Sequence, residues 1–177
     1  MFSMASGKTV KKPGREYATV SDFCTLFKTE ANRFYFLCRL LLVDPAKAEH
    51  CFVLSLEACL KSHRVFREWT QRWATHTIIK TSIQMNERNG VPAVHASAPT
   101  GNRKADMLLA AMQTLSSVDR IVYVMSVLER YSDQECATLL GITLRETKAA
   151  RERALTQLSQ NADLLSLMQP LALRMTS

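Results

Sequence analysis

Two stretches of this chain carry side chains whose types and spacing suit contact with nucleic acid. From Thr143 onward, Arg145, Lys148, Ala149, Glu152 and Arg153 fall across the outer side of one helical run. Basic and small residues on an exposed helix are what reaching into a groove and contacting phosphate require. A solvated, salt-bridged surface helix is the competing reading, and Glu146 and Glu152 speak for it. Spacing alone leaves both open. The second stretch interleaves Lys61, Arg64, Arg67, Arg72 and Lys80 with Phe66, Trp69 and Trp73. Cations mixed with stacking rings suit a single strand, because every base has a face to stack. Trp69 and Trp73 stand at i, i+4, however, and the commoner fate of such a pair is a helix core.

Other chemistries find less support. The five cysteines, Cys24, Cys38, Cys51, Cys59 and Cys136, are spread along helical patterns, mostly at apolar positions where a thiol acts as a small hydrophobe. Cys51, Cys59 and His63 show neither a Cys-x-x-Cys nor a His-x-x-x-His spacing, so no metal site is expected. No glycine-rich phosphate loop is present, and His50, His63, His76 and His95 fit no metal or triad spacing. The expectation is a protein without cofactor or metal that is not an enzyme. A net charge of +7 suits a polyanionic partner, since Lys and Arg gain by displacing phosphate counterions. That surplus lies in the first half of the chain rather than the final third, which weakens the groove reading of residues 143–153 a little.

The elements that would hold these side chains read as helices throughout. With 5 Gly and 5 Pro in 177 residues a loop-rich β protein is disfavoured, and Leu, Ala, Met, Lys, Arg and Glu favour helix. Residues 21–43 carry an apolar helical stripe from Phe23 to Leu41, capped by Ser21 or Thr19. Asp44 and Pro45 suit the cap and first turn of a second helix, 45–62, whose "CFVLSLEACL" is apolar nearly all round. A third helix is expected over 64–87, with Phe66, Trp69, Trp73, Thr77 and Ile78 on one side. Residues 90–103 are small, polar and proline-punctuated, and read as a linker. A fourth helix, 104–115, and a fifth with Val118, Ile121, Val122, Met125 and Leu128 as its buried stripe precede the stretch "SDQECATLLGITLRETKAARERAL". The predicted organisation is a disordered basic arm (1–20), a helical domain (21–89), the linker (90–103), a helix-turn-helix domain (104–160) and a tail (161–177). The fold class is therefore all-α: two small helical domains joined by a flexible linker, the second a four-helix domain. No run of 18 apolar residues or signal-peptide core is seen, so a cytoplasmic protein with no membrane span is expected.

Within Ser132–Leu155 the local chemistry is explicit. Ser132-x-x-Glu135 and Thr143-x-x-Glu146 each fit the capping box. Gly141 falls where the first helix must end in a left-handed turn, and Ile142 can plug the gap between helices.

The order of parts resembles a known family. The segment "LLAAMQTLSSVDRIVYVMSVLERYSDQECATLLGITLRETKAARERALTQL" is similar to the promoter-reading C-terminal domain of bacterial extracytoplasmic-function sigma factors, with Lys148 and Arg153-Ala154-Leu155 at matching positions. Upstream, "LLLVDPAKAE" resembles the helix junction of the N-terminal sigma domain. "FREWTQRWATHTIIKT" is similar to its "F-R-x-W-x-x-R-x-A-x-N" segment through Phe66, Arg67, Trp69, Arg72 and Ala74. The likeness covers roughly residues 21–158. It implies an alternative sigma factor: a non-enzymatic partner of core RNA polymerase and promoter DNA, in a family where an anti-sigma protein often clamps the two domains. Arg64, Arg67, Trp69, Arg72, Trp73, His76 and Lys80 would then hold the minus-ten strand. Ser132, Thr143, Arg145, Glu146, Lys148, Ala149 and Arg153 would serve the minus-thirty-five duplex. Asp44, Glu49, His50 and Val53 would face the polymerase. Three features depart from the family. His50, Val53 and Leu56 stand where the family typically has Asp, Gln and Phe on its docking helix, Arg151 and Thr147 replace apolar residues with Ala150 expected inward, and the linker is not acidic. A sigma-like regulator that binds DNA without docking on polymerase, and an all-α adaptor whose helix pair only packs, are the rival readings.

Overall fold

The computed structural model describes residues 16–62, 64–88 and 101–160. Most of the predicted arm, linker and tail lies outside these residues. The described chain is all-α: α1 (Val20–Thr29), α2 (Ala31–Leu42), α3 (Pro45–Leu60), α4 (Thr70–Arg88), α5 (Arg103–Thr114), α6 (Ser117–Tyr123), α7 (Asp133–Leu140) and α8 (Leu144–Ser159). A 3-10 turn, Arg67–Trp69, leads into α4, and a π turn, Val124–Leu128, continues α6.

Caps explain most boundaries. Thr19 opens α1 with a capping box whose partner is Asp22, and Asp44 accepts from the Lys47 amide at 3.0 Å to start α3 with Pro45 in its first turn. Asn102 caps α5 and Ser116 caps α6. The single helix expected over 21–43 is two helices, because the chain leaves helical geometry at Glu30 (φ −100°, ψ 14°). The third helix begins at Thr70 rather than 64. Residues 65–67 instead run beside Glu16–Ala18, with Ala18 N donating to Val65 O at 2.7 Å and Tyr17 stacked on Phe66. Thus the last residues of the predicted arm are tied to the loop before α4. The fifth stripe also differs: Ile121, Val122 and Met125 are buried, but Val118 and Leu128 are exposed. Tyr123 and Val124 are buried as well, and Leu128 falls at the end of the π turn, whose wider period departs from α-helical spacing.

The first four helices pack α3 on α2 and α4, with α1 against α3; in the second group α8 lies on α6 and α7. Phe23, Phe27 and Phe34 are buried among these helices, each worth roughly 2–3 kcal/mol by removal from water. The two groups meet through α2, which packs on α5 and α6, and one apolar cluster runs through both. Arg120 of α6 is buried there. Its Nε donates to Leu41 O of α2 at 3.0 Å, and one terminal nitrogen reaches Met112 O and Leu115 O at 3.4 Å. On α2, Arg39 is also buried, and among the described residues its Nε and one terminal nitrogen have no hydrogen-bond partner.

Candidate nucleic-acid interface

The turn between α7 and α8 is built by local hydrogen bonds. Ser132 Oγ accepts from Glu135 N while Glu135 Oε2 accepts from Ser132 N at 2.8 Å; Thr143 and Glu146 repeat the pattern at 2.7 Å. Each carboxyl is held below its ordinary range first by that backbone amide. Gly141 ends α7 at φ 65°, ψ 27°, a conformation that costs any residue with a Cβ roughly 1 kcal/mol or more. Ser132 and Thr143 are thereby caps. They shape the turn, and their hydroxyls are engaged in it.

On α8 the inward face is Thr147, Ala150, Ala154 and Leu158, so Ala150 points inward as expected and the small residues let α8 lie close on α6. Arg145, Lys148 and Glu152 are exposed around the partly covered Ala149 and line one concavity with Leu144. Among the described residues Arg145 and Lys148 have no ion-pair partner. Arg153 differs, for its guanidinium grips Asp119 of α6 through two bonds, 2.6 and 3.3 Å, and the pairing raises its pKa. Arg151 pairs with Asp133 at the start of α7. Neither acidic partner was foreseen, and no local signal points to either, since they lie 34 and 18 residues away.

The second cluster gathers around a cavity of about 380 Å³. Arg64, Trp69, Arg72, Trp73 and His76 line it, together with Phe66. Trp69 is 53% and Trp73 41% exposed, which overturns the core reading of the pair. Trp73 Nε1 donates to Ser62 Oγ at 3.0 Å, and Phe66 meets Trp69 edge-on. His76 is held below its ordinary pKa, first by burial and then by Lys80 and Arg72, against the opposing charge of Glu135. Lys80 is exposed farther along α4, and neither it nor Arg67 lines the cavity. Arg67 is spent on Asp22, at 2.9 and 2.7 Å, and on Glu16 at 3.3 Å. The Thr19 amide and hydroxyl and then Arg67 hold the Asp22 carboxyl down at about 2. Tyr131 and Glu135, from the start of the helix-turn-helix, complete the cavity wall. Sequence reasoning assigned Glu135 only to its cap.

On α3, Ala48, Cys51, Ser55 and Cys59 face inward at helical spacing. Glu49, His50 and Val53 are therefore turned out and exposed, Val53 at 50%. Phe52, Leu56 and Leu60 are partly buried against the core. Among the described residues no helix is long and apolar enough to cross a membrane.

Comparison with known proteins matches residues 105–158 to the family described as sigma-70, region 4. No curated protein matches the chain.

Proposed function

We propose that this chain, whose residues 105–158 form a sigma-70 region 4 domain, is an alternative sigma factor of the extracytoplasmic-function type that directs RNA polymerase to specific promoters. The match of residues 105–158 to sigma-70 region 4 supports a sigma factor or a related DNA-binding regulator. The observation that carries the finer reading is the exposed face of α8. It presents Arg145 and Lys148 without partners among the described residues, around the small Ala149, behind a capped and glycine-terminated turn. That is the arrangement in which a second helix lies in a major groove with its N-terminal residues at base edges and phosphates. In this reading the aromatic cavity at 64–76 holds the separated minus-ten strand, α3 meets the polymerase through Glu49, His50 and Val53, and the protein works in the cytoplasm without cofactor or enzymatic activity. The two helical groups act as the two promoter-binding domains, joined by residues 90–103, and an anti-sigma protein is a further partner.

One observation favours a second reading. The outward face of α3 offers an exposed Val53 and His50 where polar docking groups are expected, so a regulator that binds DNA without core polymerase is the alternative. In vitro transcription separates them. The sigma reading expects the purified chain to bind core polymerase and start transcription from promoters it enriches. Specific duplex binding with neither activity selects the regulator, and no salt-dependent DNA binding at all refutes both.

A further inference from the structure

We propose that the cavity between α2, α4 and the loop after the π turn binds a small molecule through its diphosphate group, with Arg33, Arg72 and Arg130 as the cations. The cavity encloses about 320 Å³ beside the aromatic one and shares Arg72 and Tyr131 with it. Its three guanidiniums come from separate elements, and Glu129 is the acidic residue in its wall.

Position 130 is an unusual place for an arginine. Its φ is 59°, where a residue with a Cβ is uncommon. Around it Glu129 N bonds Val124 O at 3.0 Å and Tyr131 N bonds Met125 O at 2.9 Å. In a helix ending of this kind the left-handed position ordinarily falls to glycine, as it does to Gly141 after α7. Arg130 therefore bears a backbone cost, and among the described residues its exposed side chain has no ion-pair partner. Arg33 holds Glu129 at 3.1 Å and Glu30 at 4.0 Å, and Arg72 holds Glu135 at 3.3 Å. These pairs are partly exposed and weak, whereas guanidinium and phosphate match as a charge-assisted, bidentate fork.

A buried hydroxyl points to the same ligand independently. Thr75 of α4 is 5% exposed and lines the cavity. Thr70 and Thr77 of the same helix donate to the carbonyls of Arg67 and Trp73, at 3.0 and 2.8 Å. Thr75 makes no such bond among the described residues, although buried hydroxyls are normally satisfied. It stands as a donor for an oxygen in the cavity. Burial raises the Tyr131 hydroxyl to about 12, so it stays protonated as a second neutral donor in the wall. A water's share of liquid volume is roughly 30 Å³, so the five heavy atoms of orthophosphate leave much of this space unfilled. Volume and the surplus of cations select a diphosphate over a single phosphate.

The test is equilibrium dialysis of the full chain against radiolabelled inorganic pyrophosphate at fixed ionic strength, for wild type, Arg130→Gly, Thr75→Val and Lys28→Ala. Glycine suits the left-handed backbone while removing the cation, and valine keeps the shape of threonine without its hydroxyl. Lys28→Ala loses the same charge as Arg130→Gly, from the exposed side of α1. The expected result is equal binding by wild type and Lys28→Ala, a loss of about tenfold in Arg130→Gly and about threefold in Thr75→Val. Orthophosphate should displace the label poorly. Adenosine diphosphate displacing it better than pyrophosphate assigns the ligand as a nucleotide, and equal or poorer displacement assigns the free diphosphate. Affinity unchanged in Arg130→Gly or Thr75→Val, or lowered as much by Lys28→Ala, overturns the site, as does absence of pyrophosphate binding. A twelve-nucleotide oligothymidine displacing the label better than pyrophosphate gives the cations to a nucleic-acid strand and likewise overturns it. The site rests on its own geometry, so these outcomes are independent of promoter binding.

Discussion

Val43 carries a backbone strain that a single substitution should relieve. It joins α2 to α3 at φ 65°, ψ −48°, and Asp44 N bonds Leu42 O across it at 2.7 Å, which makes the junction a three-residue γ-turn of the rarer, strained hand. A β-branched residue at positive φ is an outlier, with a cost on the order of 1–3 kcal/mol. Replacing it by glycine removes that cost and adds roughly 0.5–1 kcal/mol of unfolded-chain entropy. The Val43 side chain is only half-buried and lies off the apolar cluster, so its loss costs about 0.5 kcal/mol. Val43→Gly should therefore stabilise the protein by about 1 kcal/mol, or raise Tm by roughly 2–4 °C for a chain of this length. Val43→Ala keeps a Cβ at positive φ and should gain much less. Urea titration followed by tryptophan fluorescence measures both, and an unchanged slope places the effect in stability rather than in the compactness of either state. The strain argument is refuted if Val43→Gly lowers the midpoint, or if alanine stabilises as much as glycine.

Four further outcomes follow from other sites. Arg120→Met should cost about 2–4 kcal/mol, because three buried carbonyls lose their donor, and urea unfolding reads it directly. Arg39→Met should do the reverse and add about 1–3 kcal/mol, since the guanidinium is buried with two nitrogens unpartnered among the described residues; a loss of stability in the same assay would show that the group has a needed partner. Lys148→Ala should weaken duplex binding and lower the slope of log affinity against log salt by about 1, the signature of one lost phosphate contact. His76 has a folded pKa below its unfolded value of 6.5, so its contribution to stability is present above pH 6.5 and is lost as pH falls through the folded pKa. His76→Gln should accordingly flatten that part of the stability–pH curve, and an unchanged acid limb would contradict the burial of the ring.

What was legible in the sequence is what hydrogen bonds over three or four residues decide. The Ser132–Glu135 and Thr143–Glu146 boxes, the left-handed Gly141 and the Asp44–Pro45 start each need only their own turn of chain, and each stands in the structure as the residue types require. The inward Ala150 follows from helical period in the same way. Period misleads where geometry departs from the α-helix, as at Leu128 at the end of the π turn, and at Trp69 and Trp73, whose spacing fits a core they do not occupy. Tertiary packing alone decides which charges remain available. Asp119 reaches Arg153, Asp22 takes Arg67, and Glu135 faces Arg72 across 63 residues of chain. A carboxylate's nearest cation depends on where whole helices come to rest, and that is set by apolar burial spread over the contacts within and between the two helical groups, with no residue type at either end to announce it.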